Sequence, residues 1–215
     1  MTVSKYVTEI DNLAFFSCLS LEKIKLSDGI TRIGNMAFAG CESLRKVVWN
    51  DSLENIGDRA FYSCLSFEEI ELPDSVKSIG YGAFEMCYNM KSLTMGNNVT
   101  SIGYSIFSGC NYLDSVTLSS SLTDIPFAAF ENCTSLNRIT IPEGVSVINE
   151  SAFYGCGALE RVSLPKSLRT VATDAFSGCS ALNRVTYAGS PLLFSYLEIY
   201  TGNEYLVEVY LEGVE

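Results

Sequence analysis

Eight phenylalanines, Phe15, Phe38, Phe61, Phe84, Phe107, Phe130, Phe153 and Phe176, stand 23 residues apart, and a cysteine follows each of them three positions later. A period in the twenties is the length of one solenoid turn, a unit that buries its apolar face only by stacking on copies of itself. The register holds from about Val7 to Tyr187, which places residues 1–187 in one elongated domain of eight 23-residue units. The chain opens part-way through a repeat, with Val7 and Ile10 already in register, as a piece of a longer array would.

Other columns keep the same beat. Leu21, Leu44, Phe67, Met90, Leu113, Leu136, Leu159 and Leu182 form one. Three residues on come Ile24, Val47, Ile70, Leu93, Val116, Ile139, Val162 and Val185, and two further on Leu26, Trp49, Leu72, Met95, Leu118, Ile141, Leu164 and Tyr187. Alternation between these last two columns is the period of a short strand. A turn carrying Asp28-Gly29, Pro73-Asp74, Pro142-Glu143 or Pro165-Lys166 leads to two more columns, which begin at Ile30 and Ile33. Gly34, Gly57, Gly80 and Gly103 then suggest a backbone bend, and the Ala-Phe-x-x-Cys segment is expected to cross the far side as a short helical turn.

The pattern Leu-x-x-Ile-x-Leu-Pro-x-x-Val-x-x-Ile-Gly-x-x-Ala-Phe-x-x-Cys, nearly whole from Phe67 to Cys87, resembles the BspA-like class of leucine-rich repeats over about residues 7–187. The resemblance implies an α/β leucine-rich-repeat solenoid, a horseshoe with a parallel β-sheet on one face and short helical turns or loops on the other. It also implies bacterial or protozoan surface proteins that adhere to host or matrix proteins, hence an extracellular or cell-surface location, and it transfers no catalytic residue. Residues 188–215 lack an Ala-Phe-x-x-Cys and resemble the variant terminal repeat of that class. There Phe194, Tyr196, Tyr200 and Tyr205 are expected to cover the last rung, and Leu206, Val209 and Leu211 restart the strand pattern.

The cysteines could suggest four disulfides, yet each occupies the same place in its unit, so the side chains run parallel rather than facing one another. A row of sulfurs is no tetrahedron, and the chain has no histidine, so no metal is expected. Buried free thiols acting as small apolar fillers are the expectation. Without histidine the commonest general base is missing, and no phosphate loop or nucleophile elbow appears. Glu69 and Glu71 share a sheet face, where a solvated acidic patch with Glu68 is the simpler reading. The sequence therefore reads as non-enzymatic and without a cofactor.

A net charge of −11 disfavours nucleic acid, and no apolar run reaches the roughly 18 residues of a membrane span. The residues flanking the Ile24 column must face the open side of the sheet. One outward column reads Lys23, Lys46, Glu69, Ser92, Ser115, Arg138, Arg161 and Arg184; the other reads Lys25, Val48, Glu71, Thr94, Thr117, Thr140, Ser163 and Thr186. Candidate binding residues are thus Lys23, Lys46, Arg138, Arg161, Arg184, Thr140, Ser163 and Thr186. Stacked guanidinium groups repel, so the stripe either awaits a carboxylate, a sulfated glycan or an acidic protein segment, or is solvated with Arg161 paired to Glu160 or another carboxylate. The tyrosines at 62, 81, 88, 104, 112 and 154 are expected to be exposed but scattered. The resulting expectation is a recognition module for a protein or glycan, an adhesin fragment by resemblance. The alternative is a rigid spacer or intracellular scaffold in a longer multidomain protein, and the oligomeric state stays open.

Overall fold

The computed structural model describes residues 1–206 and 209–211. Alternating residues form a ladder of short parallel strands, Lys23–Lys25, Lys46–Val48, Glu69–Glu71, Ser92–Thr94, Ser115–Thr117, Arg138–Thr140, Arg161–Leu164 and Arg184–Tyr187. The middle residue points into the core and its neighbours point out, as the two-residue period demands. Pairing keeps the 23-residue register, for example Arg138 on Arg161 and Arg161 on Arg184. The strand Val209–Leu211 joins this ladder one residue later than the period, with Val209 beside Val185.

A second parallel ladder departs from the single sheet expected. Its strands are two residues long, among them Glu9–Ile10, Arg32–Ile33, Asn55–Ile56, Ser78–Ile79 and Ser101–Ile102, and each closes the turn that follows a long-ladder strand. The Ile33 column is its inward face.

The third side of each rung corrects the expected helical turn. Residues two before and two after each phenylalanine sit at positive φ, such as Met36 at 52°, Gly40 at 73°, Arg59 at 51° and Ser63 at 57°. A right-handed helix cannot pass through such residues. Alternate N–H groups instead point along the solenoid axis: Met36, Phe38 and Gly40 donate to the carbonyls of Asp58, Ala60 and Tyr62, each at 2.8 Å. The only helix among the described residues is the four-residue Pro191–Phe194. The architecture is a parallel β-solenoid with two ladders and one turn-built side, without the helical side of the expected horseshoe.

Inside, the phenylalanine rings stack with centroids 5.0–5.8 Å apart and planes within 27° of parallel. All are fully buried except the half-buried Phe15 of the first rung. Every cysteine is a free thiol, seven are buried, and Cys18 is half-buried. Each buried thiol donates to the carbonyl of the phenylalanine 26 residues earlier, at 3.0–3.3 Å. The position therefore takes a small apolar side chain that also bonds across the rung interface.

Glycine at 34, 57, 80 and 103 stands where a side chain would collide with the preceding rung, as a hindered bend requires. A Cβ at Gly80 would lie 2.6 Å from the Asp58 nitrogen, and one at Gly103 would lie 2.3 Å from the Tyr81 nitrogen. Pro126 replaces this glycine, and the short ladder is interrupted there, between Ser101–Ile102 and Asp124–Ile125. Gly103 N–H donates to Ile79 at 2.8 Å and Asn149 N–H to Ile125 at 2.9 Å, a bond proline cannot make to Ile102. The long ladder is interrupted between Lys46–Val48 and Glu69–Glu71 and between Ser115–Thr117 and Arg138–Thr140. At the first of these gaps Trp49 and Phe67, larger than the leucines and isoleucines around them, both pack on Phe61 at 5.7 and 5.6 Å.

At the C-terminal end the strand Glu198–Ile199 continues the short ladder beside Thr170–Val171, but no Ala-Phe-x-x-Cys segment follows to receive the Phe176 N–H. The buried Asn203 accepts it at 2.9 Å through Oδ1 and donates Nδ2 to the carbonyls of Ala172 and Tyr200, both at 2.8 Å. Ser190 caps the short helix, and Phe194 meets Tyr187 edge-on at 5.5 Å. Phe194 and Tyr205 pack on the core as expected, whereas Tyr196 and Tyr200 are exposed rather than packed on it. Residues 207, 208 and 212–215 of the expected terminal repeat lie outside the described residues.

Candidate recognition faces

The outward columns of the long ladder lie where alternation puts them. Lys23, Lys46, Arg138, Arg161, Arg184 and Thr140 are exposed, and Ser163 and Thr186 are half-buried. The eight candidates do not form one patch. Lys23 pairs in register with Lys46 at one end. The rungs of Glu69 and Glu71, Ser92 and Thr94, and Ser115 and Thr117 then intervene before the arginine stripe begins. Lys46 borders a cleft of about 660 Å³ in the interrupted ladder, lined also by Arg45, Val48, Trp49, Glu69 and Glu71.

Arg138, Arg161 and Arg184 occupy consecutive rungs, so their Cα atoms are about 5 Å apart. Thr140, Ser163 and Thr186 run alongside, and Thr186 Oγ1 donates to Ser163 Oγ at 3.1 Å. Among the described residues no carboxylate lies within 4.0 Å of the Arg138 or Arg161 guanidinium, so the pairing of Arg161 with Glu160 is not formed. Elsewhere carboxylates do relieve cations from rung to rung: Glu9 to Arg32 at 3.0 Å, Glu54 to Lys77 at 2.7 Å and Glu68 to Lys91 at 2.9 Å. The hydrogen bond to Lys91 lowers the pKa of Glu68 and raises that of the lysine.

The short ladder bears a groove that the sequence reading passed over. It measures about 480 Å³ and crosses the rungs of Arg32, Asn55, Ser78 and Ser101, beside Gly57, Gly80 and Gly103. Tyr81 and Tyr104 line its edge with centroids 4.6 Å apart, and Phe127 occupies the same column one rung on. Tyr62 and Tyr81 are half-buried rather than exposed, while Tyr88, Tyr104, Tyr112 and Tyr154 are exposed as expected. Arg59 lies over both half-buried rings, 4.7 Å from the Tyr81 centroid and 5.4 Å from that of Tyr62, and bonds the Tyr81 hydroxyl. Behind it Glu85 stands 3.5 Å from Nε; burial raises the pKa of that carboxyl despite the guanidinium. The 23-residue spacing of Tyr81, Tyr104 and Phe127 is the sequence signal for this face, and it shows only when phenylalanine is counted with the tyrosines.

Among the described residues, no group of three or more His, Cys, Asp and Glu could hold a metal ion, and no helix is long and apolar enough to cross a membrane. Burial pushes the seven buried thiols up from 9.0, to about 11 at Cys41 and about 12 at Cys87 and Cys179.

The family model for the BspA type leucine-rich repeat region matches residues 8–133 and 105–194 in six copies. The chain belongs to this family. No curated protein matches it. Among solved structures, a leucine-rich repeat protein from Bacteroides ovatus superposes with a TM-score of 0.73 at 26% identity, over 95% of this chain and 59% of that one. The BspA-type chain thus spans less than two thirds of that relative's length. The T. pallidum leucine-rich repeat protein gives 0.60 at 25% identity, over 95% and 79% of the two chains. A leucine-rich cell surface protein from Faecalibacterium prausnitzii gives 0.50 at 23%, over 92% and 81%, which shows the shared fold.

Proposed function

We propose that this BspA-type chain is a non-enzymatic recognition module of a surface-displayed protein, in which Arg138, Arg161 and Arg184, flanked by Thr140, Ser163 and Thr186, hold an acidic ligand. The observation that carries the reading is the in-register stacking of three exposed arginines with no carboxylate within 4.0 Å of Arg138 or Arg161 among the described residues. Like charges on neighbouring rungs repel, and an anion laid across Arg138 and Arg161 relieves both at once. Family membership supports the surface location, as does the description of the Faecalibacterium neighbour as a cell surface protein. In this reading residues 1–187 present the face, and residues 188–215 close the end of the array.

Heparin and poly-glutamate serve as probes of the two acidic classes. Binding is expected to weaken with added salt, and Arg161→Glu is expected to lower affinity by about tenfold or more while leaving the melting temperature within a few degrees. Unchanged binding in that variant removes the stripe, and absence of binding to either probe favours the spacer alternative.

A further inference from the structure

We infer that the groove on the short-ladder face is a second recognition site, which takes an uncharged oligosaccharide laid along the solenoid axis. The groove has the size of small-ligand sites, and its wall offers the two chemistries a sugar uses. Tyr104, which lines the groove, is 55% exposed, so ring surface is open to the C–H faces of pyranoses, and the exposed Phe127 lies one rung beyond the lining. Across the floor Asn55, Ser78 and Ser101 present amide and hydroxyl groups, which both donate and accept as sugar hydroxyls require. Ser78 Oγ already donates to Asn55 Oδ1 at 2.7 Å, which leaves the amide Nδ2 of Asn55 as donor.

Charge and backbone decide the class of ligand. Arg32, the cation lining the groove, is engaged by Glu9 at 3.0 Å, and Asp58 accepts the Tyr81 N–H at 3.0 Å through Oδ1, so nothing here matches an acidic ligand as the arginine stripe does. An extended peptide adding as a strand needs free backbone groups. The N–H groups of Gly57, Gly80 and Gly103 are spent on the carbonyls of Ile33, Ile56 and Ile79, each at 2.8 Å. The wall is also set in advance: Arg59 holds Tyr81 from one side while the Tyr104 ring leans on it at a tilt of 32°, which lowers the ordering cost of binding. With rungs about 4.8 Å apart, the lining from Arg32 to Ser101 extends roughly 15 Å, room for about one pyranose per rung.

Calorimetric titration with cello-, xylo- and manno-oligosaccharides, from disaccharide to hexasaccharide, tests the site on the whole chain. Affinity is expected to rise with length and to level off near the tetrasaccharide. Tyr104→Ala should weaken it by about tenfold, and Ser101→Trp, which fills the groove from an exposed position, should abolish it; both variants should melt as the parent does. Arg161→Glu should bind these sugars unchanged, so loss of the acidic-ligand reading leaves this one standing. The inference is overturned if none of the oligosaccharides binds at millimolar concentration, if binding survives both groove variants, or if poly-proline binds the groove where the sugars do not.

Discussion

Phe107→Ala tests whether the ring stack is one continuous core. Phe107 is fully buried, with Phe84 at 5.8 Å on one side and Phe130 at 5.3 Å on the other, so truncation empties a ring-sized volume and ends two stacking contacts. A fully buried phenylalanine cut to alanine costs about 3–5 kcal/mol, of the same order as the stability of many whole domains. Phe15 carries the same residue in the same column but is half-buried, with one stacking neighbour at 5.0 Å, so Phe15→Ala should cost only about 1–2 kcal/mol. Urea unfolding of both variants, followed by far-UV circular dichroism and by the fluorescence of the only tryptophan, Trp49, measures the difference. Trp49 sits in the N-terminal part, edge-on to Phe61, so its transition should separate from that of the dichroism in Phe107→Ala as the array divides at the cavity. Equal costs for the two variants would refute the continuous stack.

Thiol chemistry gives a pH test. The folded pKa values lie above the unfolded 9.0, so this stabilisation is complete below pH 9 and is lost as pH rises towards the folded values of about 11 for Cys41 and about 12 for Cys87 and Cys179. Urea midpoints should therefore fall from pH 9 upward, and a thiol reagent at pH 8 should find Cys18 first and the other seven only after denaturation. Gly80→Ala places a Cβ 2.6 Å from the Asp58 nitrogen and should cost about 1–3 kcal/mol, seen as a lowered melting temperature. Gly157→Ala, with nothing within 4 Å of its Cβ, should stay within about 0.5 kcal/mol of the parent. Asn203→Ala orphans the Phe176 N–H and should cost about 1–3 kcal/mol, with faster amide exchange at Phe176 by NMR.

The core was legible because it is a sum of columns. Periodicity alone identifies Phe38, Cys41, Leu44 and Ile56 as inward, and all are buried. The long ladder was legible for the same reason, since Lys23-Ile24-Lys25 alternates as a strand does. The short ladder was not, because a two-residue strand such as Arg32–Ile33 shows one inward residue and no alternation to read. The turn-built side was not legible, because Ala-Phe-x-x-Cys has helical spacing while the positive φ at Met36, Arg59 or Ser105 carries no glycine to announce it. Of the candidate site, the arginine stripe followed from column position. The groove instead depends on three columns, Asn55, Gly57 and Tyr81, converging across a turn whose geometry no single column encodes.

The two interruptions near the middle of the array give the two faces separate supports. The short ladder is unbroken from Glu9–Ile10 to Ser101–Ile102, which is the stretch that carries the groove. The long ladder is unbroken from Arg138–Thr140 to Arg184–Tyr187 and on to Val209–Leu211, which is the stretch that carries the arginine stripe. Between them Pro126 removes one ladder bond, while the third side stays bonded, with Phe107 donating to Ala129 at 2.9 Å and Phe130 to Ala152 at 2.7 Å. In a quasi-one-dimensional fold, a weaker interface lets each block keep its own rigidity while the blocks adjust to one another. An acidic ligand on the stripe should thus raise amide protection across residues 138–187 more than across residues 9–102. Restoring the missing donor with Pro126→Ala, the residue type that already bonds Ile148 from position 172 at 2.8 Å, should spread that protection towards the groove.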